Sequence, residues 1–204
     1  RYIDKEDYTT DSMEFGTLVH LRVLQPEKFF SEYAVLPDKT PENDMDLSML
    51  KAICKQFEEP VSGTKRELAQ RIRKHTPEFR IYEEIVDEVA SHGKKALPPV
   101  VLKKLNAIND KIMAHPKVGE WLKLAEKEKK GYWQDPETGV VMPFIADGFF
   151  EHKGIGIALD LKITRDFDPR RFSNNMYDNG YFIQAAAYCE SISAIQGEAF
   201  ENFL

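Results

Sequence analysis

From Phe15 to Val23 the apolar residues fall at Phe15, Leu18, Val19 and Val23, one face of a helix, with Asp11-x-x-Glu14 as a capping-box opening and Pro26 as a stop. The spacing predicts a helix over 12–24. Residues 33–46, with Pro37, Pro41 and four acidic side chains, read as an exposed connection. Beyond it, Met49, Leu50, Ile53, Cys54 and Phe57 form one helical stripe. Val61-Ser62-Gly63 makes a turn, and Thr64-x-x-Glu67 caps a second helix with Leu68 and Ile72 inward. Tyr82, Ile85, Val86 and Val89 predict a further helix closed by Gly93. Pro98-Pro99 opens another, with Val101, Leu105, Ile108 and Ile112 inward and His115-Pro116 as its stop. Val118, Trp121, Leu122 and Ala125 predict a short helix running toward Gly131.

After Gly131 the hydrophobic period changes from 3.6 to 2. A turn at Asp135-Pro-Glu-Thr-Gly139 followed by the β-forming run Val140 to Ile145 predicts a hairpin, with Asp147 at the end of its second strand. Gly154 to Thr164 alternates as one strand. Ile155, Ile157, Leu159, Leu161 and Ile163 lie on one face, and Gly156, Ala158, Asp160, Lys162 and Thr164 on the other. Tyr181 to Ser193 returns to helical spacing and places Gln184 and Tyr188 on one face. Phe200 to Leu204 reads as the opening of a last strand.

Composition narrows the class. A chain of 204 residues with 42% hydrophobic and 30% charged content can bury a core as one or two domains. No apolar run approaches the roughly 20 residues of a membrane helix, so neither a membrane span nor an export signal is expected. Cys54 and Cys189 supply no disulfide framework and no four-thiolate metal site, so a reducing cytoplasm is expected. The net charge of −6 is unevenly spread: 51–80 and 101–130 are each +4, whereas 1–50 and 131–204 are each −6. Carboxylates for a cation beside cations for phosphate suit a metal-dependent nuclease, although solvated surfaces also look like this.

The chemistry concentrates at Asp160-x-Lys162, a carboxylate and an ammonium on the small-residue face of a greasy strand. A hairpin can bring Asp147 beside Asp160. Two adjacent carboxylates repel, so a divalent cation between them is the natural partner, and hard Mg2+ prefers oxygen ligands. Lys162 could then orient an attacking water and neutralise charge on a phosphoryl oxygen. Glu126 and Glu128 could add a carboxylate, but among Lys123, Lys127, Lys129 and Lys130 they read as a solvated face. His115, before a proline, and His152, in the hairpin turn, read as loop residues, and His75 and His92 show no ligand spacing.

Asp147 followed by Asp160-Leu161-Lys162 resembles the two-strand signature of PD-(D/E)xK nucleases. Gly16-x-x-x-His20 and Gln184-Ala-Ala-x-Tyr188 resemble the corresponding motifs of the RecB-like branch. Tyr132-Trp133-x-Asp135, Thr138-Gly139 and Leu24-x-Pro26-Glu27-x-Phe29 resemble the RecE-type exonucleases. Two departures stand out. Ile145-Ala146-Asp147 replaces the usual Arg-Pro-Asp, and Asp-Leu-Lys-Ile-Thr moves the hydroxyl to Thr164. The resemblance implies that His20, Asp147, Asp160 and the Leu161 carbonyl ligate Mg2+, with Mn2+ as a substitute. It also implies that Lys162 activates water and that Gln184 and Tyr188 position the substrate strand.

Residues 44–77 resemble the SAP motif, a two-helix DNA-binding unit, through Leu47, Leu50, Cys54, Val61, Ser62-Gly63-x-Lys65, Leu68 and Arg71-Ile72. That implies phosphate contacts by Lys65, Arg66 and Arg73. The expected architecture is therefore α/β: a PD-(D/E)xK core, a mixed sheet flanked by helices, over 1–43 and 78–204, with a helical SAP-like insertion at 44–77. The implied function is 5′-to-3′ digestion of double-stranded DNA ends, leaving 3′ tails for annealing recombination by a ring-shaped homo-oligomer with a RecT-type annealing protein. The rival readings are another RecB-like nuclease, whose four-cysteine form this chain lacks, and a DNA-binding accessory protein with a dead nuclease core.

Overall fold

A computed structural model describes residues 11–153, 155–164, 168–196 and 202–203. The chain divides into two compact units, one of residues 27–106 and one of residues 1–26 and 107–204.

The smaller unit is mainly helical: α2 (Pro26–Glu32), α3 (Leu47–Gln56), α4 (Lys65–Arg73), α5 (Tyr82–Ser91) and the first part of α6 (Pro99–Ala114). The two-helix unit read from the sequence is present as α3 and α4. Asp46 caps α3 by accepting from the Met49 amide at 2.9 Å. Thr64 and Glu67 form the expected capping box, with the Thr64 amide donating to Glu67 Oε2 at 2.7 Å. Leu50 and Cys54 of α3 meet Leu68, Ala69 and Ile72 of α4, and Ile81 joins them from the start of α5. Packing thus extends beyond 44–77 on the C-terminal side. On the other side, the expected connection contains a short strand, β1 (Tyr33–Val35), which pairs in parallel with β2 (Lys95–Leu97). Its partner lies about sixty residues away, and local periodicity carries no trace of such a contact.

The larger unit holds α1 (Asp11–Leu24), the rest of α6, and α7 (Val118–Leu124). A four-stranded sheet among the described residues has the order β3 (Glu126–Gln134), β4 (Val141–His152), β5 (Ile155–Leu159) and β6 (Asn202–Phe203). The first two pairings are antiparallel and the last is parallel, so the sheet is mixed as expected. Helices α8 (Pro169–Asp178) and α9 (Tyr181–Gln196) lie between β5 and β6 in sequence. Phe144, Ala146, Phe149, Ala158 and Ile192 form a core cluster, with Tyr188 packed against it.

Three sequence expectations are corrected. The lysine-rich run 126–130, expected as helix leading to Gly131, is the start of β3. It lies at the edge of the sheet, where charged side chains block further strand pairing. Asp147 does not end its strand but sits inside β4, which runs on to His152. The alternating segment expected as one strand to Thr164 stops at Leu159, leaving Asp160 and Lys162 just beyond it. Helix α8 was not read from the sequence, although Asp168-Pro169 marks its start: Asp168 Oδ1 accepts from the Arg170 and Arg171 amides at 2.9 and 3.1 Å.

Where α7 follows α6, Gly119 makes a close approach. A Cβ built there would stand 2.2 Å from the Met113 carbonyl oxygen. Because that atom is backbone, Gly119→Ala is expected to destabilise the protein by about 1–3 kcal/mol, read as a lowered denaturation midpoint. An unchanged midpoint would show that the α6–α7 corner can open.

Candidate active site

The hairpin register lines up the acidic residues. β3 pairs with β4 from Glu126↔Phe149 to Gln134↔Val141, and the ladder skips the position that would set Glu128 opposite Asp147. Glu128 there has φ 54°, a left-handed conformation that a residue with a Cβ adopts at a cost. On the other side, β4–β5 pairing ends at Gly148↔Leu159, and one further step would set Asp160 opposite Asp147. Glu128, Asp147 and Asp160 therefore occupy one row across three successive chain segments. The ladder lapses on both sides of Asp147. Like charges aligned directly across a sheet repel, which is a physical reason for the lapse.

Asp147 is the centre of this row. Only 13% of its side chain is exposed, and its Oδ2 accepts the Leu161 amide at 2.5 Å and lies 3.7 Å from His20 Nδ1. Burial pushes its carboxyl above the usual carboxylate range. The Leu161 hydrogen bond and His20 oppose this, while the charges of Asp160 and Glu128 add to it. His20 comes from α1, where its place four residues after Gly16 puts the two on one helix face. A Cβ at Gly16 would meet nothing within 4 Å, so the glycine leaves open space one turn before the imidazole.

Asp160, with 6% of its side chain exposed, accepts from Lys162 Nζ at 2.7 Å. The ammonium also donates to Gln184 Oε1 at 2.9 Å, and Gln184 Nε2 donates to the Tyr188 hydroxyl at 2.7 Å. Tyr181 places its ring 4.6 Å from the same ammonium. Helix α9 supplies all three of these residues because positions 181, 184 and 188 recur at helical spacing. Burial raises the Tyr188 hydroxyl above its ordinary value, so it stays protonated as a hydrogen-bonding group. Two of the three Lys162 N–H donors are engaged by described residues, which leaves one for a ligand.

The structure thus brings His20, Asp147, Asp160, Leu161, Lys162, Gln184 and Tyr188 together in one unit. It adds Glu128, whose lysine neighbours disguise it in the sequence. The donors suit a hard divalent cation, which would favour the ionised Asp147 that burial, and to a lesser degree the charges of Asp160 and Glu128, disfavour. As they stand, no three His, Cys, Asp or Glu side chains among the described residues are gathered closely enough to hold a metal ion. Asp160 is instead turned onto Lys162.

Other motif residues have structural roles. Asp135 Oδ2 accepts from the Thr138 hydroxyl at 2.5 Å, the Gly139 amide donates back to the Asp135 carbonyl at 2.8 Å, and Gly139 has φ 71°. That set builds the β3–β4 turn. His115 Nδ1 accepts the Val118 amide at 3.2 Å at the head of α7. His75 stacks on Phe57 with ring centroids 4.6 Å apart and pairs with Glu59.

The cations expected to meet DNA are engaged within their own unit. Lys65 pairs with Glu83 at 2.7 Å, Arg73 with Glu84 at 2.5 Å, and Arg66 with Asp87. All three carboxylates belong to α5. Lys65 is held above its ordinary pKa by its hydrogen bond to Glu83. A DNA backbone reaching this face must displace these partners. The Lys65, Arg66 and Arg73 triple alanine variant is therefore expected to lower the salt slope of DNA binding by less than the ~0.9 per contact of unpaired cations. Binding constants measured across a salt series check this, and a full drop per residue would show that the pairs open freely.

An aspartate within one strand and an Asp-x-Lys just past the next, backed by a Gln–Tyr helix, define a PD-(D/E)xK-type site. Residues 3–204 match the family described as a PDDEXK-like domain of unknown function (DUF3799), and the chain belongs to that family. PDDEXK-like domains are usually nucleases, so the family suggests a nuclease of unspecified substrate. A comparison with curated proteins gives no match. No helix among the described residues is long and apolar enough to cross a membrane.

Proposed function

We propose that the protein is a Mg2+-dependent nuclease that digests double-stranded DNA from its ends in the 5′-to-3′ direction and leaves 3′ single strands. The observation that carries the hydrolytic reading is the hydrogen-bonded chain Asp160–Lys162–Gln184–Tyr188 beside the half-buried Asp147. Polarity, the ring-shaped assembly and the RecT-type annealing partner rest on the RecE-like motifs in the sequence.

His20, Asp147, Asp160 and the Leu161 carbonyl would hold the cation, with Glu128 adding negative charge beside them. Such a cation supplies Lewis acidity toward phosphoryl oxygens and makes a water acidic enough to attack at neutral pH. The protein's own groups do the rest. Asp160 and Gln184 fix the Lys162 ammonium, so its remaining N–H can hold the attacking water or a phosphoryl oxygen without searching for a rotamer. Tyr188 fixes the Gln184 amide, and the Leu161 amide fixes the Asp147 carboxylate.

The test is release of nucleotides from linear duplex DNA carrying label at one 5′ end, with Mg2+ and with EDTA. Label released early, with Mg2+ alone, is the expected result. DNA binding without any metal-dependent release would favour the accessory-protein reading. Glu128→Gln is expected to raise the Mg2+ concentration for half-maximal cleavage by about 10–100-fold, the usual effect of losing a group that supports metal ligands. An unchanged Mg2+ requirement would return Glu128 to the solvated edge.

A further inference from the structure

Next to Lys162, helices α8 and α9 line a pocket of about 620 Å3 that is partly open to solvent. Phe172 and Met176 come from α8, Tyr181 and Phe182 from α9, while Lys162 and Gln184 supply polar atoms at the catalytic end. Its size falls within the roughly 300–1,000 Å3 of small-ligand sites. Beside it, the Tyr177 ring stacks on Phe182 with centroids 5.7 Å apart and 24° between planes. These two rings are 75% and 51% exposed, more aromatic surface than core packing requires.

We propose that this pocket receives an unpaired nucleobase of the DNA strand whose phosphate lies at Lys162, an inference that rests on the nuclease reading above. Asp160, Lys162 and Gln184 belong both to the candidate active site and to the pocket wall, so a strand anchored by its phosphate there carries its adjoining base over the aromatic residues. Lys162 is the only cation among the described lining residues and is already paired with Asp160, which makes this wall a poor second phosphate site. Flat rings with little charge suit the face of a base, and every base has such a face, so the contact is sequence-tolerant. Bases inside a duplex are stacked on one another and cannot enter. The pocket therefore selects frayed ends or single strands, and a base held in it keeps the scissile strand separated from its complement.

The experiment uses the full chain and duplexes carrying 2-aminopurine, a fluorescent base quenched by stacking, at the terminal or at an interior position. With EDTA present, so that no metal-dependent cleavage intervenes, quenching is expected at the terminal position only. Phe182→Ala should abolish it and weaken binding of frayed or single-stranded ends by about 5–150-fold, the usual effect of losing one base–aromatic stack. Phe182→Leu keeps the apolar bulk without the ring and should behave like alanine. Phe182→Tyr should behave like the unsubstituted protein, which separates stacking from misfolding. Equal quenching in Phe182→Ala, or full affinity in Phe182→Leu, would overturn the proposal. The same preparations assayed with Mg2+ distinguish the two levels. Cleavage without terminal quenching defeats the pocket and spares the nuclease reading, whereas quenching without cleavage does the reverse. Neither quenching nor cleavage defeats both.

Discussion

Lys162→Ala and Asp160→Ala are each expected to lower the rate of nucleotide release from linear duplex DNA by about 10²–10⁴-fold, with DNA binding in EDTA little changed. Among the described residues, the ammonium is the one group that contacts both a carboxylate and the Gln184 amide of α9, at 2.7 and 2.9 Å. Removing it takes away both the charge facing a phosphoryl oxygen and the donor that would position water. Removing Asp160 frees the ammonium from one of its two anchors and deletes a carboxylate from the row at Asp147. Because both changes act on the transition state more than on bound DNA, they should lower kcat and leave KM near its original value. Near-normal turnover in either variant would remove hydrolysis from this site. A large rise in KM alone would make Lys162 a DNA-binding residue instead.

Asp147→Asn should show opposite effects on activity and stability. The carboxyl is raised mainly by burial, with the charges of Asp160 and Glu128 adding to it, so ionised Asp147 is worse accommodated in the folded chain than in the unfolded one. The folded state then binds its proton more tightly. Stability conferred by the protonated form is present at low pH and is lost as pH rises from the ordinary carboxylate range through the raised folded value. Asparagine does not titrate, and its amide oxygen can still accept the Leu161 N–H. In EDTA at neutral pH the variant should therefore melt at a higher temperature than the unsubstituted protein, with a flatter pH profile, while cleavage in Mg2+ is lost. A lower melting temperature at neutral pH would mean that the His20 and Leu161 contacts outweigh burial and repulsion.

Much of this protein follows from short-range pattern. Apolar spacing together with capping residues such as Thr64 and Glu67 marks α3, α4 and α5 as helices, because hydrogen bonds and side-chain contacts within a helix link residues three or four apart. The same holds for the Asp135–Gly139 turn and for Gln184 and Tyr188 sharing a face of α9. Asp147 and Asp160-x-Lys162 stood out because no core needs two carboxylates and an ammonium at such positions.

What needed the tertiary structure is what depends on a distant partner. Strand β1 exists because β2 pairs with it, and the charged run 126–130 becomes a strand because β4 offers hydrogen bonds that outweigh its weak β propensity. Register with β4 aligned Glu128 and Asp160 on either side of Asp147, and the ends of the pairing put Asp160 and Lys162 outside the strand that periodicity suggested. The basic face of α4 shows the same limit. Its charges are plain in the sequence, but the carboxylates that engage them come from α5, up to 21 residues further along the chain. Local sequence determined which groups this protein has and which helix face carries them. Only the folded chain decided which of those groups meet, because pairing energies between remote segments leave no periodic mark on either one.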